Sequence, residues 1–171
     1  QQIVDSYPNI ENINSIEIVN MKENRGHARC IASGLKYIFE KKEFDFVIPM
    51  DGDGEDRPEE IKNFIEVSEK SGGKSLVGDR VKRSEGLFFK TCYQFHKFLT
   101  LAFTGQSIKF GNFTCLSKST VKKLLNEKAT WNSFSGSLKK IEKDLISLPS
   151  IRGKRYFGPS QMSFFNLLKH S

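Results

Sequence analysis

The spacing of apolar positions changes several times along this chain, and each change marks an element. Residues 15–20 (Ser-Ile-Glu-Ile-Val-Asn) alternate and are β-branched, which predicts a short strand. Asn24-Arg25-Gly26 then opens a helix, in which Ala28, Ile31, Ala32, Leu35, Ile38 and Phe39 form one stripe at helical spacing, with Cys30 on its apolar side. Phe44 to Met50 is apolar except at Asp45 and Pro49, which suits a strand buried on both faces. An acidic loop, Asp51-Gly52-Asp53-Gly54-Glu55-Asp56, follows directly. Pro58 sits at a first helical position with Glu59 and Glu60 behind it, and Ile61, Phe64, Ile65 and Val67 carry that helix to Gly72-Gly73. Lys74–Gly78 reads as the next strand. Strands alternating with helices predict an α/β fold with a mostly parallel sheet flanked by helices, in which ligands sit at the C-terminal ends of strands. The acidic loop falls at such an end.

The second half is less regular. Leu87–Phe103 reads as a long aromatic helix, Ser107–Leu116 contains a strand, and Ser119–Leu125 and Phe134–Lys143 read as short helices. Ser160–His170 reads as a final amphipathic helix. We see no internal repeat and no linker. Two segments are expected: the bulk of the domain over 1–150, and a basic, amphipathic segment of the same domain over 151–171.

Charge divides the chain in the same way. Residues 1–85 carry 13 Lys/Arg and 17 Asp/Glu, whereas 86–171 carry 14 Lys/Arg and only 3 Asp/Glu. Between Gly86 and Asn126 there is no acid, but there are six lysines and seven phenylalanines. An acidic front and a basic, aromatic back suit a protein that holds a cation with one half and faces an anionic ligand or surface with the other. Length and composition fit one ordinary domain and exclude collagen-like and wholly disordered classes. There is no run of 18 apolar residues, so no bilayer span is expected in the sequence. Three widely spaced cysteines, Cys30, Cys92 and Cys115, argue against a disulfide framework and for a reducing compartment. No nucleic-acid motif accompanies the basic half, so no nucleic acid is expected as partner. His27 and His96 have no metal-ligand spacing with any cysteine, and His27, at the helix start, reads as a capping or packing residue.

Asp51, Asp53, Glu55, Asp56 and Glu59 place five carboxylates within nine residues, a density that repels itself unless a cation compensates it. Hard oxygens at alternate positions of a turn suit Mg²⁺ or Mn²⁺, completed by water and phosphate oxygens. An EF-hand loop is excluded, because its sixth position would be Asp56 instead of Gly and its twelfth Lys62 instead of Glu.

The segment Val47-Ile-Pro-Met-Asp-Gly-Asp-Gly-Glu-Asp-Arg-Pro-Glu-Glu-Ile61 resembles the Asp-x-Asp segment of family 2 glycosyltransferases of GT-A fold. It is especially similar to the Asp-x-Asp-x-Gln-Asp-x-Pro-Glu form of the polyprenyl-phosphate sugar transferases, the relatives of dolichol-phosphate mannose synthase. Four further segments resemble that family in the same order. Asn24-Arg-Gly-His-Ala matches its helix start, and Gly78-Asp-Arg-Val-Lys-Arg83 its basic stretch. Gly111-Asn-Phe-Thr-Cys-Leu-Ser117 is similar to Gly-Asp-Phe-x-Leu-x-Ser, and Arg152-Gly-Lys-Arg-Tyr-Phe-Gly-Pro-Ser-Gln-Met162 to the closing Arg-x-x-Arg-x-x-Gly-x-Ser-Lys segment. The resemblance covers about residues 16–170. Glu55 stands where the family often has Gln, Asn112 where it has Asp, and Gln161 where it has Lys. The family's opening strand and its acidic nucleotide-binding turn have no counterpart, so the chain is expected to be an N-terminally incomplete GT-A (Rossmann-like) domain.

The resemblance implies an enzyme that moves a sugar, with inversion, from a nucleotide-sugar donor to a polyprenyl-phosphate acceptor in cell-envelope synthesis. It would work at the cytoplasmic inner face of the membrane, peripheral to its surface. By that resemblance Asp53 and Glu55 hold Mg²⁺ or Mn²⁺, while Asp51, with Asn24 and Gly26, contacts the nucleotide or supports the metal. Asp51, Asp53, Glu55 and Arg80 would serve catalysis, and Arg80, Arg83, Arg152 and Arg155 are the candidates for the acceptor phosphate. Asn112 cannot act as a base, which favours an already ionised phosphate acceptor over a hydroxyl, although Asp79 offers a carboxylate. The alternatives are a sugar-hydroxyl acceptor and an inactive scaffold of the same fold.

Overall fold

The structure, a computed structural model, describes residues 13–80 and 110–156; the helices expected over 87–103 and 160–170, and Arg83, lie outside them. Element order is α1 (His27–Lys41), β1 (Phe46–Val47), a 3₁₀ turn (Pro58–Glu60) leading into α2 (Ile61–Lys70), and β2 (Leu76–Arg80). Then come β3 (Phe110–Ser117), α3 (Lys118–Asn126), a second 3₁₀ turn (Lys128–Trp131), α4 (Phe134–Ile141) and β4 (Ile146–Ser150).

The four strands form one sheet in the order β1-β3-β2-β4. β3 is antiparallel to both of its neighbours, whereas β4 lies parallel to β2. The expected mostly parallel sheet is therefore mixed. The α2 crossover does give β1 and β2 the same direction, as alternation of strand and helix requires, but β3 is inserted between them and runs the other way. Three strands, β1, β2 and β4, thus end at one edge of the sheet, and β3 begins there.

Two-residue periodicity in the strands divides the core into two layers. Leu76, Phe113 and Cys115 point to one face and pack with Phe64 of α2, whose ring meets Phe113 edge-on at 4.6 Å. Val47, Val77 and Leu116 point to the other face, against Leu35 of α1, Val121 and Leu124 of α3, and Phe134 and Leu138 of α4. Phe44–Met50 feeds both layers as its composition predicts, although only Phe46 and Val47 pair with β3. Pro49 has no N–H with which to extend that ladder. The helices begin where capping chemistry allows: Ser117 accepts from the Thr120 N–H at α3, and Ser133 from the Gly136 N–H at α4.

Two further sequence readings are corrected, and one strand that the sequence pattern does not predict is added. Residues 15–20 form no strand; they run irregularly, with Ile16, Ile18 and Val19 between 43% and 59% exposed. A strand needs a neighbour for its N–H and C=O groups, and none pairs with this stretch among the described residues. Glu17 instead ties it to α1 and its end, through Tyr37 at 3.0 Å and Lys42. The added strand is β4, over which the pattern predicts no element; it pairs with β2 from Leu76↔Ile146 to Arg80↔Ser150 although Pro149 interrupts its pattern. Pro149 is tolerated because, among the described residues, β4 is an edge strand. Finally, Cys30 is exposed, so it lies off the apolar stripe of α1.

Candidate active site

The edge at which β1, β2 and β4 end collects most of the candidate residues among those described. Past β1, the chain runs through Ile48-Pro49-Met50 to Asp51, whose N–H donates to the Asp56 carboxylate at 2.8 Å and closes the acidic loop upon itself. Asp56 is nearly buried, and burial raises its pKa above the usual carboxylate value. Within the loop the Glu55 N–H donates to Asp53 Oδ1 at 3.0 Å.

Asp51 is oriented by two other elements. His27, the first residue of α1, brings Nε2 to 3.4 Å from Asp51 Oδ1. Asn112, near the start of β3, brings Nδ2 to 3.5 Å from the same oxygen and 3.4 Å from His27 Nε2. The hydrogen bond from His27 lowers the Asp51 pKa, and the same bond raises that of His27. His27 is the site residue that the sequence reading missed. Its type and position suggested a cap, and only the packing of α1 beside β1 brings it to the loop. A cavity of about 200 Å³ opens there, with His27, Asp51 and Asn112 lining it beside the apolar Ile31, Leu35 and Met50. Asn24 and Gly26 lie in the turn before α1, where Asn24 Oδ1 accepts from the Gly26 N–H at 3.0 Å.

Arg80 ends β2, and its guanidinium lies against Gly111 of β3, where a Cβ would collide with it. From there its charge helps to lower the pKa of Asp51.

The chain leaving β4 crosses the acidic loop as a strap. Its path is fixed by backbone bonds: the Ile151 N–H donates to Glu60 Oε1 at 3.1 Å, the Gly153 N–H to the Glu55 carbonyl at 2.8 Å, and the Tyr156 N–H to the Asp53 carbonyl at 2.8 Å. The Tyr156 ring covers Gly54, which has φ +89° and would place a Cβ 2.7 Å from that ring; both facts call for glycine. On this track Arg152 pairs with Glu55, and Arg155 pairs with Asp53 at 2.9 Å and with Glu55 at 3.6 Å. The structure therefore brings Asp51, Asp53, Glu55, Arg152 and Arg155 together, with Arg80 and Asn112 at the same edge. It leaves Asn24 and Gly26 beside His27 at the rim.

Asp53 and Glu55 offer hard carboxylate oxygens one residue apart, the donor type that Mg²⁺ or Mn²⁺ takes together with water and phosphate. Among the described residues no group of three or more His, Cys, Asp and Glu side chains is placed to hold a metal ion. Two carboxylates do not make an all-protein cage, so an ion held by them would take its remaining ligands from water or from a ligand's oxygens.

The acidic loop thus lies where β1, β2 and β4 end, with a basic strap across it. The profile of the family described as "Glycosyl transferase family 2" matches residues 1–133. The chain belongs to that family. Among curated proteins, this family 2 chain is similar to the undecaprenyl-phosphate 4-deoxy-4-formamido-L-arabinose transferase of Photorhabdus laumondii, 27% identical over 167 residues that cover 91% of this chain and 47% of the relative. It is also similar to the protein of the same name from Proteus mirabilis, 25% identical over 179 residues covering 98% of this chain and 50% of the relative. The chain spans about half the length of these relatives. Among the described residues no helix is long and apolar enough to cross a membrane.

Proposed function

We propose that this family 2 domain serves a metal-dependent, inverting transfer of a sugar from a nucleotide-sugar to a polyprenyl-phosphate-type lipid, in cell-envelope glycan synthesis at the cytoplasmic face of the membrane. The observation that carries this reading is the meeting of Arg152 and Arg155 with Asp53 and Glu55 at one sheet edge. A carboxylate pair and a guanidinium pair side by side suit a reaction with phosphate on both sides, a diphosphate leaving and a phosphate attacking. Both similar relatives carry undecaprenyl-phosphate in their names, which supports the acceptor class.

Asp53 and Glu55 would hold Mg²⁺ or Mn²⁺, which supplies Lewis-acid neutralisation of the departing diphosphate. Asp51, whose Oδ1 faces His27 and Asn112, would contact the donor nucleotide or support the metal, with Asn24 and Gly26 in the turn before α1. Arg80, Arg152 and Arg155, with Arg83 from outside the described residues, supply guanidinium forks that match phosphate oxygens in pairs. A phosphate acceptor arrives ionised and needs positioning, not deprotonation, which accords with Asn112 standing beside Asp51 in place of an acid.

The test uses the full natural protein in membranes, with labelled nucleotide-sugars, polyprenyl phosphate and Mn²⁺. Label should enter the organic phase, and Asp53→Ala should reduce it by about 10²-fold or more, the scale on which one transition-state charge contact acts. Label appearing only in water-soluble product would move the acceptor to a sugar hydroxyl. No transfer from any donor by a folded protein would leave an inactive scaffold.

A further inference from the structure

The strap over the acidic loop satisfies the carboxylates that a cation would need. Asp53 Oδ2 is taken by Arg155 and Oδ1 by the Glu55 N–H, while Glu55 Oε2 faces both arginines. Two carboxylates and two guanidiniums are neutral together, at positions where the side chains retain only 20% to 29% of their exposure. Within these four groups a divalent ion added alone would leave two positive charges in excess. An ion added with a phosphate anion restores neutrality. The arginines are also incompletely used, since Arg152 Nε is buried with no acceptor among the described residues. An N–H in that state is a donor short of an oxygen.

We propose that residues 151–156 form a charge-exchange latch: Arg152 and Arg155 neutralise Asp53 and Glu55 until a divalent cation takes the carboxylates, and the released guanidiniums then turn to phosphate. This rests on the phosphate-transfer reading above and adds an order to it. Cation and phosphate bind cooperatively, each strengthening the other by the same factor, and the strap bonds from Gly153 and Tyr156 loosen as the exchange occurs. Arg152 and Arg155 therefore compete with the cation before they assist the anion.

The experiment uses the full natural protein and Mn²⁺ as the probe, in phosphate-free buffer. Spin-resonance titration compares wild type with Arg152→Gln and Arg155→Gln; removing a competing guanidinium should tighten Mn²⁺ binding by about 5-fold, the scale of one partly exposed ion pair. Hydrogen exchange on the wild-type protein gives a readout that needs no variant, because the amides of Gly153 and Tyr156 should exchange faster once Mn²⁺ is added. Unchanged or weakened Mn²⁺ binding in both variants, with strap exchange unaffected by the ion, overturns the latch while leaving the transfer reading intact. Failure of wild type and variants alike to take up Mn²⁺ overturns the latch together with the metal dependence of the transfer.

Discussion

His27 and Asp51 each alter the other's protonation. The proton on His27 is held more tightly in the folded chain than in the unfolded one, because the imidazole donates to Asp51. The resulting stabilisation is complete below the ordinary imidazole value of about 6.5 and is lost as pH rises through the raised value. Asp51 acts at the acid end: its pKa is depressed, so its share is present above the ordinary carboxylate value and lost as pH falls through the depressed one. Wild type should therefore exceed His27→Ala in stability at about pH 6, and the gap should narrow by about pH 9, as read by urea unfolding across that range. A gap that does not change with pH would assign His27 a packing role alone. Both residues were visible in the sequence, but their meeting was not. His27 is separated from Asp51 by a whole helix and a strand, and no spacing rule joins them. The five loop carboxylates, by contrast, were legible because they are contiguous and because self-repulsion demands an explanation at any position in a fold.

At the scale of elements, what could be read depended on how local each pattern was. The stripes of α1 and α2, the acidic loop and the β3 segment needed only near neighbours in sequence, and each lies where its period placed it. The strand expected at 15–20 failed because alternation reports compatibility with a sheet and not the presence of a partner. β4 escaped because Pro149 and the polar Ser147 break the pattern, while its stability comes from β2 lying beside it. The reversal of β3 was equally illegible, since strand direction is set by pairings between residues such as Phe46 and Ser117. The layer under α2 gives the clearest mutational expectation. Phe64 is 1% exposed and is met edge-on by Phe113, so Phe64→Ala should lower unfolding free energy by about 3–5 kcal/mol through lost burial and an unfilled cavity. Denaturant titration measures this, and a loss below about 1 kcal/mol would mean that α2 collapses onto the sheet to fill the space.

Across the whole molecule, the division of charge is reorganised by the fold. The acidic front does not simply oppose the basic back; the last described residues of the back return to neutralise the acidic loop of the front. On the proposed function, the net positive charge of the back half would favour an anionic membrane surface. A polypeptide of these 171 residues should sediment with vesicles containing anionic lipid at about 50 mM salt and be largely released at about 300 mM, as screening shortens the reach of its charges. Equal retention on neutral vesicles, insensitive to salt, would instead assign the attachment to apolar insertion.

The position of β3 between β1 and β2 has a consequence for how the protein is made. During synthesis β1, the acidic loop, α2 and β2 leave the ribosome before the strand that joins β1 to β2 exists, and Asn112 follows Asp51 by 61 residues. The loop carboxylates are exposed on the nascent chain without the arginines of the strap, which emerge later still. Early helices can form in transit, but β1 and β2 are joined only when Ser117 has passed the exit tunnel, and the acidic loop is neutralised only after β4. The candidate site is therefore the last part of the described fold to be assembled, and a chain released before residue 151 would carry its acids without the bases that answer them.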